Sequence, residues 1–245
     1  MAIMLGEEGY QAWGELMFTL RTGKPAFDHV FGKARWEYLA GNPEAAESFN
    51  TAMVELSNRI SGAFVAAYDF SGVRTVVDVG GGSGAMLIGV LRAHPHLKGT
   101  LFDLPQGLSG AREKLAAAGL ADRVTVSEGS FFDEVPTGAD LYMLKSIIHD
   151  WDDDRALAIL KTCRRAMHAN AKLVLVEREL PDRIDNPDAA LPTVMSDLHM
   201  MVVLGGAERT NSEYADLLAG ADLRGTRVIP TGTEFYVVEA VVAQV

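Results

Sequence analysis

Thr75-Val76-Val77-Asp78-Val79-Gly80-Gly81-Gly82-Ser83-Gly84 is the stretch whose reading decides the fold. A β-branched run climbs to an acidic residue, breaks into glycines, and enters the helical pattern Ala85-Met86-Leu87-Ile88-Gly89-Val90-Leu91. The run reads as a buried parallel strand and the glycines as the turn that follows it. Glycine lets another molecule approach the backbone closely, and the helix start beyond offers free N–H groups. Such a corner suits a nucleotide-type ligand. A dinucleotide fingerprint puts its third glycine three residues after its second, whereas Gly80, Gly82 and Gly84 alternate here, with Asp78 two residues ahead. An acidic strand end suits a cationic amino-acid group better than a pyrophosphate. A glycine-rich turn with no ligand is the competing reading of this stretch alone.

Downstream, strand and helix patterns alternate. Strands are predicted at 75–79, 98–103, 123–127, 140–145 and 172–177, with helices at 85–93, 108–118 and 153–168 between them. That alternation predicts an α/β fold with a doubly wound, mostly parallel sheet. Asp152, Asp153 and Asp154 open the third of these helices and Arg164, Arg165 and His168 close it, matching the helix dipole. The last two strands, 224–229 and 234–242, are separated only by Pro230-Thr231-Gly232-Thr233. A parallel crossover needs a dozen or more residues, so these strands must pair antiparallel. The expected sheet therefore has seven strands and an antiparallel C-terminal strand.

Upstream, 7–22 has helical spacing up to a break at Thr22-Gly23-Lys24-Pro25. A loop is predicted over 25–32, a short helix over 34–40, and a long helix over 44–68. The expected organisation is an N-terminal helical segment, 1–70, and a ligand-binding domain, 71–245.

At 245 residues the chain can bury a full core. Its net charge of −11 argues against nucleic acid or an anionic membrane as partner. Cys163 is the single cysteine, which excludes an internal disulfide and cysteine-based metal sites and reads as a buried thiol. The N-terminus lacks the basic and apolar parts of a signal peptide, and no apolar run approaches the ~20 residues of a membrane span. These features predict a cytoplasmic protein.

Two further stretches make the pattern specific. Asp103, in Leu101-Phe102-Asp103-Leu104-Pro105, follows the glycines at the distance where an acidic side chain can accept hydrogen bonds from ribose hydroxyls. Then comes Lys145-Ser146-Ile147-Ile148-His149-Asp150-Trp151. With the Asp-x-Gly-x-Gly-x-Gly corner, these resemble the S-adenosylmethionine-dependent O-methyltransferases of the caffeic acid, acetylserotonin and bacterial polyketide type. The resemblance runs from about residue 10 to the end. It implies the Rossmann-like methyltransferase fold, with S-adenosylmethionine as cofactor and S-adenosylhomocysteine as product. The acceptor it implies is a hydroxylated aromatic or polyketide-like small molecule.

Carried over residue by residue, the resemblance makes His149 the catalytic histidine, flanked by Glu177 and Glu208. It assigns the cofactor to Asp78, Gly80, Gly82, Asp103 and Leu104, with Ser130 and Phe131 at the adenine and Lys145 close by. Ser130 departs from the aspartate common in the family; serine offers a hydroxyl but no carboxylate. Asp150 and Asp197 are candidates for substrate hydroxyls. Met195, Met200 and Met201 are candidates for an aromatic pocket wall, with core packing as the competing role. His199 reads as surface or pocket wall, and no metal is predicted.

Methyl transfer to oxygen is an in-line displacement, for which alignment of the reactants can contribute ~7–11 kcal/mol. Ionising a phenol at pH 7 costs ~4 kcal/mol. A histidine with an ordinary pKa near 6.5 would take that proton, an effect worth ~10²–10⁴ in rate. Two alternatives stay open: non-methylating chemistry on the same fold (hydroxylation, decarboxylation or a pericyclic step) and a partner-dependent subunit. Full-length relatives carry a further N-terminal helical, winged-helix-like domain that builds the dimer. This sequence begins where that domain would end, which predicts a homodimer or a heteromeric partner supplying it.

Overall fold

In the computed structural model, which describes residues 5–244, β1 (Thr75–Val79) lies between β2 (Lys98–Asp103) and β4 (Leu141–Lys145), parallel to both. β3 (Val124–Glu128) flanks β2 and β5 (Lys172–Arg178) flanks β4, again parallel. β7 (Phe235–Val242) pairs antiparallel with β5 and with β6 (Leu223–Pro230), giving the order β3-β2-β1-β4-β5-β7-β6. The fold class expected from the sequence is the one observed. Where order reverses, between β1 and β4, the strand ends open a crevice at the carboxyl edge.

Successive strand residues alternate between two apolar layers, as the two-residue period requires. Val77, Tyr142, Leu144, Leu173 and Leu175 pack against α8 (Asp153–Ala166) and α10 (Asn211–Gly220). Val76, Leu141, Met143, Val174 and Val176 pack against α5 (Pro43–Ala67), α6 (Ala85–Ala93) and α7 (Ala111–Ala117). Cys163 lies buried in the first layer. Asp152 caps α8 by accepting from Arg155 N at 2.9 Å, and Thr210 and Glu213 form a capping box at α10. No helix of the described residues is long and apolar enough to cross a membrane.

The N-terminal region differs from expectation in two places. Residues 7–22 form not one helix but a π-helical turn, Leu5–Gly9, followed by α1 (Tyr10–Gly14) and α2 (Leu16–Thr22), divided at Glu15. The predicted loop 25–32 contains α3 (Ala26–Phe31). Pro25 immediately before it and left-handed Gly32 after it are start and stop signals, and Ala26 and Phe27 are fully buried. α4 (Arg35–Gly41) follows. These helices pack on α9 (Pro187–Val203), where Ala12, Ala26 and Phe27 share a cluster with Val202 and Val203. β3 starts one residue later than predicted because Arg123 sits in a 3₁₀ turn and donates to the carbonyls of Leu91, His94 and Leu97.

α5 crosses α6 at Gly89, where an added Cβ would lie 2.8 Å from the Cβ of Ser61. Gly89→Ala is expected to destabilise by about 1–3 kcal/mol through overpacking. Thermal melts should show part of that loss recovered in Ser61→Gly/Gly89→Ala.

Candidate active site

At the carboxyl edge a cavity of about 940 Å³ runs from the glycine turn to α9, within the range of small-molecule sites. Asp78 ends β1 fully buried, and its Oδ2 has no hydrogen-bond partner in the protein. Burial pushes its carboxyl up to about 7, with Lys145 pulling the other way. Asp103 holds the turn: Oδ2 accepts from Gly82 N at 2.7 Å and Oδ1 from Leu104 N at 2.6 Å. A Cβ on Gly80 would lie 2.5 Å from Ile147, and one on Gly81 2.7 Å from the Asp78 carboxyl carbon. A Cβ on Gly82 would meet nothing within 4 Å. Gly80 and Gly81 are thus pressed against the protein, while Gly82 borders open space.

The other end is built around His149. After β4 the chain turns at Ser146, whose φ of 53° is costly for a residue with a side chain, and a 3₁₀ turn, Ile148–Asp150, presents the imidazole. His149 Nδ1 lies 3.0 Å from Glu208 Oε1 and 3.6 Å from Glu177 Oε2, and Nε2 lies 3.4 Å from Asp150 Oδ1. Glu177 and Glu208 are both anchored. Glu177, from β5, accepts from the N–H groups of Ile147 and Ile148. Glu208 accepts from Ser196 Oγ at 2.6 Å, and its own N–H donates to Asp197 Oδ1 at 2.9 Å. Arg209 donates to the carbonyls of Ile148 and Trp151 and to Asp153, clasping the turn from behind.

The charges follow from this packing. Burial alone would lower the pKa of His149, but Glu208, Glu177 and Asp150 together raise it to about 9. This replaces the near-ordinary value expected from sequence: three carboxylates outweigh desolvation. Burial would raise Glu208, yet His149 and the bonds from His149 and Ser196 bring it below its usual range. Burial raises Glu177 despite its facing the imidazolium. It takes Asp150 to about 7, opposed by His149. His149, Glu177 and Glu208 could each aim one ligand atom at a cation, all within 4.8 Å of one another. In the structure those groups serve one another and the backbone.

Of the residues singled out by sequence, Asp78, Gly80, Gly82, Asp103, Leu104, Ser130, Phe131, Lys145, His149 and Asp150 all line the cavity. Glu177 and Glu208 stand behind His149, buried. Two candidate substrate contacts do not line the cavity either. The Asp197 carboxylate is engaged by Glu208 N–H, and Met201 falls off the stripe Met195, Ser196, His199, Met200, Val203 that faces inward at helical spacing. His199 is pocket wall. Ser196, Arg209 and Gly206 were not foreseen. An added Cβ on Gly206 would lie 2.0 Å from the His149 carbonyl oxygen, a contact between segments that no local pattern encodes. Gly206→Ala should displace the histidine turn, costing at least about 1–3 kcal/mol in denaturant midpoint experiments, with activity falling further than stability.

The family described as an O-methyltransferase domain matches residues 13–224. Phenazine O-methyltransferase of Lysobacter antibioticus is 43% identical over 98% of this chain and 69% of its own length. Aclacinomycin 10-hydroxylase of Streptomyces purpurascens is 40% identical over 86% of this chain and 56% of its own. An O-methyltransferase from neocarzinostatin biosynthesis was solved with S-adenosyl-L-homocysteine and 1,4-dihydroxy-2-naphthoic acid. It superposes with a TM-score of 0.88 at 34% identity, covering 98% of this chain and 70% of that one. The chain thus spans 56% to 70% of the length of these proteins.

Proposed function

The chain belongs to the O-methyltransferase domain family, and we propose that it methylates a hydroxyl of a small aromatic molecule using S-adenosylmethionine. The observation that carries this reading is a single cavity with an acid-ended glycine turn at one end and a carboxylate-ringed His149 at the other. The unpartnered Asp78 Oδ2 supports the cofactor assignment, because a buried acceptor without a donor is costly until a cationic group meets it. Asp78, Gly80 and Gly82 would hold the amino-acid end and Asp103 and Leu104 the ribose. Ser130 and Phe131 would hold the adenine, with Lys145 close by. When bound, the cofactor supplies an electrophilic methyl group on a positively charged sulfur.

This chain's own residues manage the acceptor's proton. With a pKa of about 9, His149 rests protonated at pH 7. Baring it costs ~2 pH units, roughly 3 kcal/mol, and taking a proton from a phenol of pKa about 10 adds ~1 unit. The sum matches the ~4 kcal/mol of ionising the phenol in water. The gain lies in retention: the imidazolium stays beside the phenolate, steadied by Glu208, and stabilises it in a dry cavity. Asp150 faces Nε2, the nitrogen opposite the one held by Glu208, while Asp197 and Ser196 act through Glu208.

Tyr10, Met17 and Leu20 are exposed on α1 and α2, which supports association of this face with a second chain. It is either a copy or a heteromeric partner, and a monomer in light scattering would contradict it. A lone buried Cys163 suits a reducing compartment, in support of the cytoplasm.

His149→Ala should lose ~10²–10⁴ in kcat on a poorly acidic phenol and much less on a phenol ionised at assay pH. Wild-type log kcat on the former should climb with pH and level near 9, the His149 value. A profile flat from pH 6 to 9 would remove His149 from proton handling. Mass spectrometry tests the alternative of hydroxylation, which the 40% identical hydroxylase favours: the product should carry an added methyl group, not an added oxygen.

A further inference from the structure

A second histidine faces the cavity and takes no part in the network around His149. His199 lies one turn after Ser196 on the inward stripe of α9. Its Nδ1 is 3.0 Å from Trp13 Nε1, and the two rings are stacked 15° from parallel. An indole N–H only donates, so Nδ1 must present a lone pair and the ring proton must sit on Nε2. A charged ring would set N–H against N–H. Arg35, buried and paired with Glu8 at 2.9 Å, and His149 both add positive field here. Burial and these two cations agree with the geometry, lowering the pKa of His199 to about 4. Among the described residues no hydrogen bond engages Nε2.

We propose that His199 Nε2–H is a fixed donor that recognises a carbonyl oxygen of the methyl acceptor, so that preferred acceptors are hydroxylated aromatics bearing a ring ketone or quinone carbonyl. The inference rests on the cavity being the acceptor site of a methyltransferase. Nε2–H can give a hydrogen bond and cannot take one, and a carbonyl is its complement. The nearby positive charges favour a partly negative oxygen over a second donor. An acceptor lacking the carbonyl would leave this N–H unpaired, a loss of roughly tenfold or more in affinity.

The test uses the full chain saturated with S-adenosylhomocysteine and two probes of one skeleton, 5-hydroxy-1-tetralone and 5,6,7,8-tetrahydro-1-naphthol. Calorimetry should show the wild type preferring the tetralone about tenfold. His199→Phe should bring the ratio to about one, and His199→Gln, which keeps an N–H, should restore part of it. ¹⁵N NMR should show His199 as the neutral Nε2–H tautomer from pH 6 to 8, mixed in Trp13→Phe. A wild type without the preference, a preference that survives in His199→Phe, or an Nδ1–H tautomer overturns the proposal. Failure of the wild type to bind S-adenosylhomocysteine would instead overturn the methyltransferase reading beneath it.

Discussion

The hydrogen bond between His149 Nδ1 and Glu208 Oε1, 3.0 Å long and buried, is the contact around which that end of the cavity is arranged. A buried charge is tolerated only when paired and when its partner's remaining lone pairs are served. The fold supplies the pairing from separate parts of the chain, though Oε2 of Glu177 and of Glu208 accept no hydrogen bond among the described residues. β4 and its 3₁₀ turn deliver His149, β5 delivers Glu177, α9 delivers Ser196 and Asp197, and the segment before α10 delivers Glu208 and Arg209. The capping box at Thr210 fixes where α10 begins, one residue past the arginine that clasps the histidine turn. Loosening His149, Glu177 or Glu208 leaves a buried charge without its counter-charge, and loosening Ser196 or Asp197 frees Glu208 to move.

The same sheet joins this cluster to the glycine corner. β1 and β4 are hydrogen-bonded neighbours, so the residues after their carboxyl ends open into one crevice. Lys145 ends β4 between the acids of the two halves: Asp78, Asp150 and Glu177 all raise its pKa while burial lowers it further. A cation at the corner would therefore be felt at the His149 cluster through a short chain of buried charges. The N-terminal helices close the crevice from the other side, with Trp13 reaching His199 and Trp36 stacked near Trp151.

What could be read from sequence was what local pattern encodes. The β-branched run, the alternating glycines, the strand–helix period and the four-residue link before the last strand specify backbone geometry within a few residues, and the sheet follows from them. Asp78, Asp103 and His149 were legible because each ends a strand or follows one closely, where topology aims it at the crevice. Ser196 and Arg209 were not, since their roles depend on which distant segment packs against them. Asp197 and Met201 misled because helical position alone does not say which face meets the cavity. α3 was hidden by its shortness, only six residues between Pro25 and Gly32. The protonation state of His149 was the deepest omission. It is set by three carboxylates, one beside His149 on its own turn and two from distant segments, a sum no single stretch contains.

The most direct measurement is an NMR titration of the His149 imidazole in the wild type and in Glu208→Gln. The wild-type midpoint is expected near 9, falling by more than about one unit when the Glu208 charge is removed. A midpoint near the ordinary histidine value, unmoved by Glu208→Gln, would contradict the claim that this buried ion pair governs the site.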